Sequence, residues 1–286
     1  MKQADASSAE RARLLAMMDH YLDALTARNL GALRIAPHVR YTENTRTLPL
    51  GTGLWRTIRG RRPQGHYFAD VERGEVEFWG VVDENGAEVI FGVRLRVEGT
   101  LITEIETVAV RGAGGSFFSP DVVIEDYPAF HEPLAPDERA SRDELIAIAN
   151  LYFDAIELSD GSRLPVADQC RRWVNGVLDS LMDPDKLDEI ESHRALGVSE
   201  QMGAGHYAYI EALRARRFPL VDEERGLVIC HLLFDHPGDL PRADGELVFP
   251  TPNTMICFEA FKVRRGILDE VWAIGTSLPY GIDSGW

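Results

Sequence analysis

Two histidines share a setting: Gly-His-Tyr occurs at 65–67 and again at 205–207. Imidazole titrates near neutral pH, so His66 and His206 are suited by type to take a proton and return it. The alternative is a half-buried ring satisfied by backbone groups, with the recurrence reflecting shared packing. A third candidate is Glu43, in VRYTENTRTLPLGTGLW (39–55). If 38–44 is a strand, Val39, Tyr41 and Glu43 share one face, and His38, Arg40, Thr42 and Asn44 share the other. The first face is the apolar one. A carboxylate buried there is costly to ionise, and its expected raised pKa suits an acid or base. On an edge strand it would face solvent instead. Asn44 either contacts substrate or bonds the backbone at the strand end. Tyr41, Tyr67 and Tyr207 are candidate donors to a developing oxyanion.

Further candidates surround these. Trp55 closes LPLGTGLW, either as an aromatic lid over a cavity or as plain core. Arg59 stands with Arg56, Arg61 and Arg62 in RTIRGRR. The cluster either binds a substrate carboxylate or phenolate or forms a solvated face. Asp160 lies in ELSDGSR, whose composition is that of a turn or a helix cap. No HExxH, CxxC or convincing His/Asp cluster is present, so no metal is expected. GAGGS (112–116) is not set between a strand and a helix, so no dinucleotide loop is read, and no GxSxG elbow appears. No cofactor is expected.

The elements that must position these residues come in two sets. The chain has 286 residues, 45% of them apolar, and a formal charge of −16. An acidic chain repels phosphate backbones and anionic membranes, so neither nucleic acid nor a membrane is an expected partner. The basic, polar N-terminus has no apolar signal core, and no run reaches the roughly 18 apolar residues of a membrane helix. Three cysteines, Cys170, Cys230 and Cys257, make no disulfide framework and suggest a cytoplasmic protein with reduced, buried thiols.

ERARLLAMMDHYLDAL (10–25) aligns without a gap on SRDELIAIANLYFDAI (141–156), and both have helical apolar spacing. The same offset pairs Asn44 with Asn175. After a length change, the two GHY triplets pair, then VVDENG (81–86) with LVDEERG (220–226), and VEGTLITEIETVAV (97–110) with VRRGILDEVWAIGT (263–276). Blocks in constant order imply two copies of one domain. The expected division is 1–112, a Gly- and Pro-rich linker at 113–140 that packs along the domains, and 141–286. The segment 235–253 has no counterpart in the first copy and reads as a long hairpin loop. Each copy runs from helices to period-two strands of a sheet with one covered face, an α+β arrangement.

Tyr-x-Asp-Ala-(Leu/Ile) at 21–25 and 152–156, the histidine–tyrosine pairs, and the Gly-x-(Leu/Ile) turn at 99–101 with its form one residue shorter at 266–267 resemble the NTF2-like superfamily, in particular its SnoaL-like and dehydrochlorinase/dehydratase branches. The resemblance implies two tandem cones, each a curved antiparallel sheet wrapped around helices with a pocket in its mouth. The cones are expected to pack sheet to sheet as an internal pseudo-dimer, with a further homo-oligomer left open. It also implies cofactor-free proton chemistry on a small apolar, aromatic or polyketide-like compound by a lyase or isomerase. A histidine oriented by an aspartate maps onto His206 and Asp160, and in the first copy onto His66, with Asn29 in the aspartate's place, so that the first pocket either uses another acid, Glu43 being the nearest, or is catalytically silent. The competing reading is a non-catalytic small-molecule-binding or scaffold protein. Catalytic candidates are thus His66, His206, Asp160 and Glu43; substrate-binding candidates are Tyr41, Asn44, Trp55, Tyr67, Arg59 and Tyr207.

Overall fold

The structure is a computed structural model in which residues 2–112, 117–188, 191–247 and 250–286 are described. The first half runs α1 (Lys2–Ala27), β1 (Ile35–Glu43), β2 (Arg46–Thr47), α2 (Leu54–Thr57), β3 (Ile58–Asp70), β4 (Glu75–Glu84), β5 (Ala87–Glu98) and β6 (Leu101–Arg111). A connecting segment carries α3 (Pro120–Val123) and α4 (Pro128–His131). The second half runs α5 (Arg142–Leu158), β7 (Val166–Val174), β8 (Val177–Leu178), α6 (Val198–Gly203), β9 (Ala212–Asp222), β10 (Leu227–His236), β11 (Asn253–Arg264) and β12 (Ile267–Leu278).

Local signals explain several boundaries. Ser141 and Glu144 close a capping box on α5, with the Ser141 amide donating to Glu144 Oε2 at 2.8 Å. The β4–β5 hairpin turns on Asn85 and Gly86 at φ 55° and 89°, the positive angles a tight hairpin requires. The segment 235–253 joins the antiparallel neighbours β10 and β11, as a hairpin loop does; Val248 and Phe249 lie outside the described residues.

Each half builds one six-stranded sheet, in the orders β2-β1-β6-β5-β4-β3 and β8-β7-β12-β11-β10-β9. The sheets are antiparallel apart from one parallel pair in each, β1–β6 and β7–β12. The identical order makes the chain a structural duplicate. Asn44 and Asn175 show this at atomic level. Each has positive φ, 47° and 49°. Asn44 donates to the Ala109 carbonyl at 3.0 Å and accepts from its amide at 2.8 Å. Asn175 does the same with Gly275, at 3.0 and 2.9 Å. The backbone-bonding alternative therefore describes both residues.

The GHY match does not survive. His66 lies within β3, whereas His206 precedes β9 by six residues. Trp79 and His231 occupy equivalent ladder positions, opposite Gly92 and Phe258. The strand residues facing them on the other side are His66 and Arg217, so Arg217 is the true counterpart of His66.

Both faces of each sheet are covered, which corrects the one-face expectation. The inner faces close on α1 and α5 in two cores, with Tyr21, Tyr41, Trp55, Phe78 and Phe91 in the first and Tyr152, Phe153, Tyr207 and Phe261 in the second. The outer faces meet each other. Phe68, Trp79, Ile90 and Val108 pack against Leu220, Ile229, Phe258 and Ile274, with Val123 and Phe130 of the connecting segment in the same cluster. Each such side chain contributes about 1.5–3 kcal/mol by leaving water. The sheets approach so closely at Gly92 that a Cβ there would lie 2.5 Å from Ile274 Cδ1.

Polar groups also join the halves. Arg11 of α1 pairs with Asp222 at 2.9 Å, and its repeat mate Arg142 of α5 pairs with Asp70 at 2.9 Å, a pseudo-twofold exchange. His231, with none of its surface exposed, lies 3.1 Å from Glu77 Oε2 and 3.1 Å from Glu106 Oε2. Arg94 and Arg217 also engage Glu106. The C-terminus crosses to the first half: Trp286 Nε1 donates to Thr42 Oγ1 at 2.9 Å, and the Arg40 guanidinium stacks over its ring at 4.4 Å.

Candidate functional site

The first cone is built for packing. Glu43 is 8% exposed and fully engaged. It accepts from the Leu54 amide at 2.6 Å and the Tyr41 hydroxyl at 3.1 Å, and pairs with Arg111 at 3.0 Å. The expectation of an uncompensated buried carboxylate is corrected by that arginine, which arrives from β6. Trp55 sits on α2 in the core, edge-on to Tyr21 at 5.5 Å, so the core alternative holds and the lid does not. Arg59 is exposed, and its neighbours Arg61 and Arg62 pair with Asp23 and with Glu88 and Asp121.

His66 points away from the first cone. Adjacent strand residues face opposite sides of a sheet. Tyr67 packs inward, its ring 4.9 Å from Phe78, and its hydroxyl donates to Asp19 at 2.6 Å. His66 takes the outer face against Phe130 at 4.9 Å. It is 6% exposed, and burial pulls its pKa to about 4. The expected first-pocket pair of His66 and Glu43 is therefore split across the sheet.

The second cone differs. β7 turns Arg172 inward, at the position that Tyr41 holds in the first copy, and β11 turns Glu259 inward, opposite Ala273 of β12. Glu259 is 3% exposed, with Oε2 unpartnered. Burial raises its pKa to about 7, moderated by Arg172 and by a hydrogen bond from Tyr152. Burial also raises Asp179 to about 7 against the pull of Arg194. Asp179 pairs with Arg172, and His193 Nε2 stands 3.9 Å from its Oδ1.

His206 is half-buried on the turn after α6 and stacks on His193, ring centroids 3.7 Å apart. Burial, with His193 and Arg172 adding repulsion, drops its pKa to about 2, so the ring is neutral at pH 7. Tyr207 donates to Gln201 Oε1 at 3.1 Å, and the Arg172 guanidinium lies 4.7 Å over its ring. Asp160 caps its own turn, accepting from the Ser162 amide at 2.9 Å. Among the described residues no hydrogen bond or ion pair joins it to His206. The cap reading therefore describes Asp160, and in this cone Asp179 stands beside an imidazole, that of His193.

Arg172, Asp179, His193 and Glu259 escaped the sequence reading. One signal was available. In MICFEAFKV, period-two spacing puts Glu259 on the face of Cys257 and Phe261, an acid on an apolar stripe. Two cavities lie at the junction of the halves. One, of about 420 Å³, is lined by the exchanged Arg11, Asp70, Arg142 and Asp222. The other, of about 530 Å³, is lined by residues of α1, β3 and the connecting segment, including His66 and Tyr67.

Residues 138–275 match a family described as "Domain of unknown function (DUF8021)". No curated protein matches the chain. Among solved structures, the chain is similar to a protein of unknown function with a cystatin-like fold from Methylobium petroleophilum PM1. That similarity has 14% identity, 50% of this chain and 84% of that one covered, and a TM-score of 0.31. An NTF2-like protein from Anabaena variabilis is 10% identical, with 51% and 96% covered and a TM-score of 0.27. BvnE pinacolase from Penicillium brevicompactum is 13% identical, with 51% and 88% covered and a TM-score of 0.28. Two six-stranded sheets of one topology, each packed against an opening helix, make the two halves of this chain copies of one α+β fold.

Proposed function

We propose that the second cone catalyses cofactor-independent proton transfer on a small, largely apolar carbonyl compound, as a lyase or isomerase. The observation that carries this reading is Glu259: an inward carboxyl with one unpartnered oxygen and a pKa of about 7, between Tyr152 and Arg172. A group poised near working pH suits general acid–base catalysis. Carboxylate Oε2 takes a proton from the carbon next to the carbonyl. The C–H electrons form the enolate, whose oxygen charge is met by the Arg172 guanidinium. Returning the proton from Glu259 to a different carbon completes an isomerisation. Giving it to a departing β-hydroxyl completes a dehydration. His206, Tyr207 and Tyr209 form aromatic walls that hold the substrate and keep water out.

The test is deuterium incorporation from heavy water into a panel of enolisable aryl ketones, followed by NMR. Exchange should rise with pH through about 7, because the base works ionised. Glu259→Gln should slow it by about 100-fold or more. Binding without exchange in the wild-type protein, or equal exchange in Glu259→Gln, would favour the non-catalytic binding reading.

A further inference from the structure

We propose that the cleft along the outer edge of β3, between α1 and the connecting segment, is a second binding site, which takes a small uncharged aromatic or alicyclic compound through its hydroxyl group. The cleft measures about 530 Å³, within the size range of small-molecule sites. Leu15, Tyr67, Ile124 and Phe130 give it apolar and aromatic walls. One wall carries His66, which is 6% exposed and whose Nε2 has no partner in the protein.

A buried polar atom without a partner is costly, and the cost is relieved when a ligand supplies the missing hydrogen bond. The pKa of about 4 keeps this imidazole neutral at pH 7. A neutral ring donates from one nitrogen and accepts at the other. The Val123 backbone favours a proton on the ring, the effect of a carbonyl facing a ring N–H; with Nε2 unpartnered, that N–H falls to Nδ1 and Nε2 is left as the acceptor. The ligand must therefore bring a donor.

The surroundings exclude an anion. Arg11 and Arg225 line the cleft but are committed to Asp222 and Glu224, at 2.9 Å each. Asp19, Glu125 and Asp126 line the same cleft. A neutral hydroxyl on an apolar ring meets both demands: it donates to Nε2, and its ring lies among Leu15, Ile124 and Phe130. This site lies outside both cones and is independent of Glu259.

The probes are 2-naphthol and naphthalene, with binding to the full chain followed by fluorescence anisotropy. The wild-type protein should bind 2-naphthol more tightly than naphthalene. His66→Phe should weaken 2-naphthol at least tenfold and leave naphthalene unchanged. Leu15→Trp, which fills the cleft from the helix side and leaves His66 in place, should abolish binding of both. Glu259→Gln should alter neither, whatever becomes of the exchange reaction. No 2-naphthol binding up to its solubility, wild-type affinity in His66→Phe or Leu15→Trp, or loss of binding in Glu259→Gln overturns the proposal.

Discussion

Replacing His231 with phenylalanine isolates the charge at the centre of the interface. The ring stacks flat on Phe258, centroids 3.5 Å apart, and a phenyl preserves that contact. What it removes is the pair of ring nitrogens 3.1 Å from Glu77 and 3.1 Å from Glu106. Glu106 retains Arg94 and Arg217. Among the described residues, Glu77 is left with the Trp79 indole N–H at 2.6 Å as its side-chain donor. A buried carboxylate deprived of its cation costs about 3–5 kcal/mol, a large part of an ordinary protein's stability. Desolvation opposes the charged ring, but Glu106 and Glu77 outweigh it and raise the His231 pKa. The stabilisation from protonation is then complete below the unfolded value of about 6.5 and declines as pH rises through the higher folded value. Urea unfolding at pH 6 should therefore show His231→Phe less stable by about 3 kcal/mol or more, with a smaller gap at alkaline pH. Adding Glu77→Gln should recover part of the loss, because it neutralises the orphaned acid. A loss below about 1 kcal/mol at pH 6, or a gap that widens with pH, would refute the reasoning.

Other expectations follow from the same geometry. Asn44→Ala and Asn175→Ala each strip two backbone bonds from a strand end and should each cost about 1–3 kcal/mol, similar in the two halves by thermal melt. Gly92→Ala should cost about 1–3 kcal/mol, since its methyl collides with Ile274 and Val108; an unchanged melting temperature would mean the sheets have room to part. Trp286→Ala should speed hydrogen exchange in β1 while leaving β7 unchanged, because the indole is tied to Thr42 and to Arg40.

The doubling was legible because it rests on local patterns. The helix repeat, the paired asparagines and the Asn-Gly hairpin all carry their own geometric demands. The GHY triplets misled because three letters matched across a length change can fall on different elements. His66 landed in a strand and His206 on a turn. In GEVEFWGVV, Glu75 and Glu77 alternate with the apolar Val76 and Phe78. The two acids are buried because Arg94 of the same sheet and His231 of the other compensate them, and the second partner lies 154 residues away. No local pattern announces a partner at that distance. Glu259 was legible in principle, as an acid on an apolar stripe. Arg111 beside Glu43 was not, because only the packed sheet brings that arginine over the β1 carboxylate.

Joining the two cones in one polypeptide frees the interface from self-complementarity. In a homodimer both partners present the same patch, so any acid near the axis must be answered by a residue of that same sequence. Here the first sheet supplies Glu77 and Glu106, and the second supplies His231 and Arg217. The ladder equivalents of those last two in the first sheet are Trp79 and His66, neither of them a cation at neutral pH. Two first halves placed face to face would meet acid to acid, so a severed first half should seek the second half and shun its own copy.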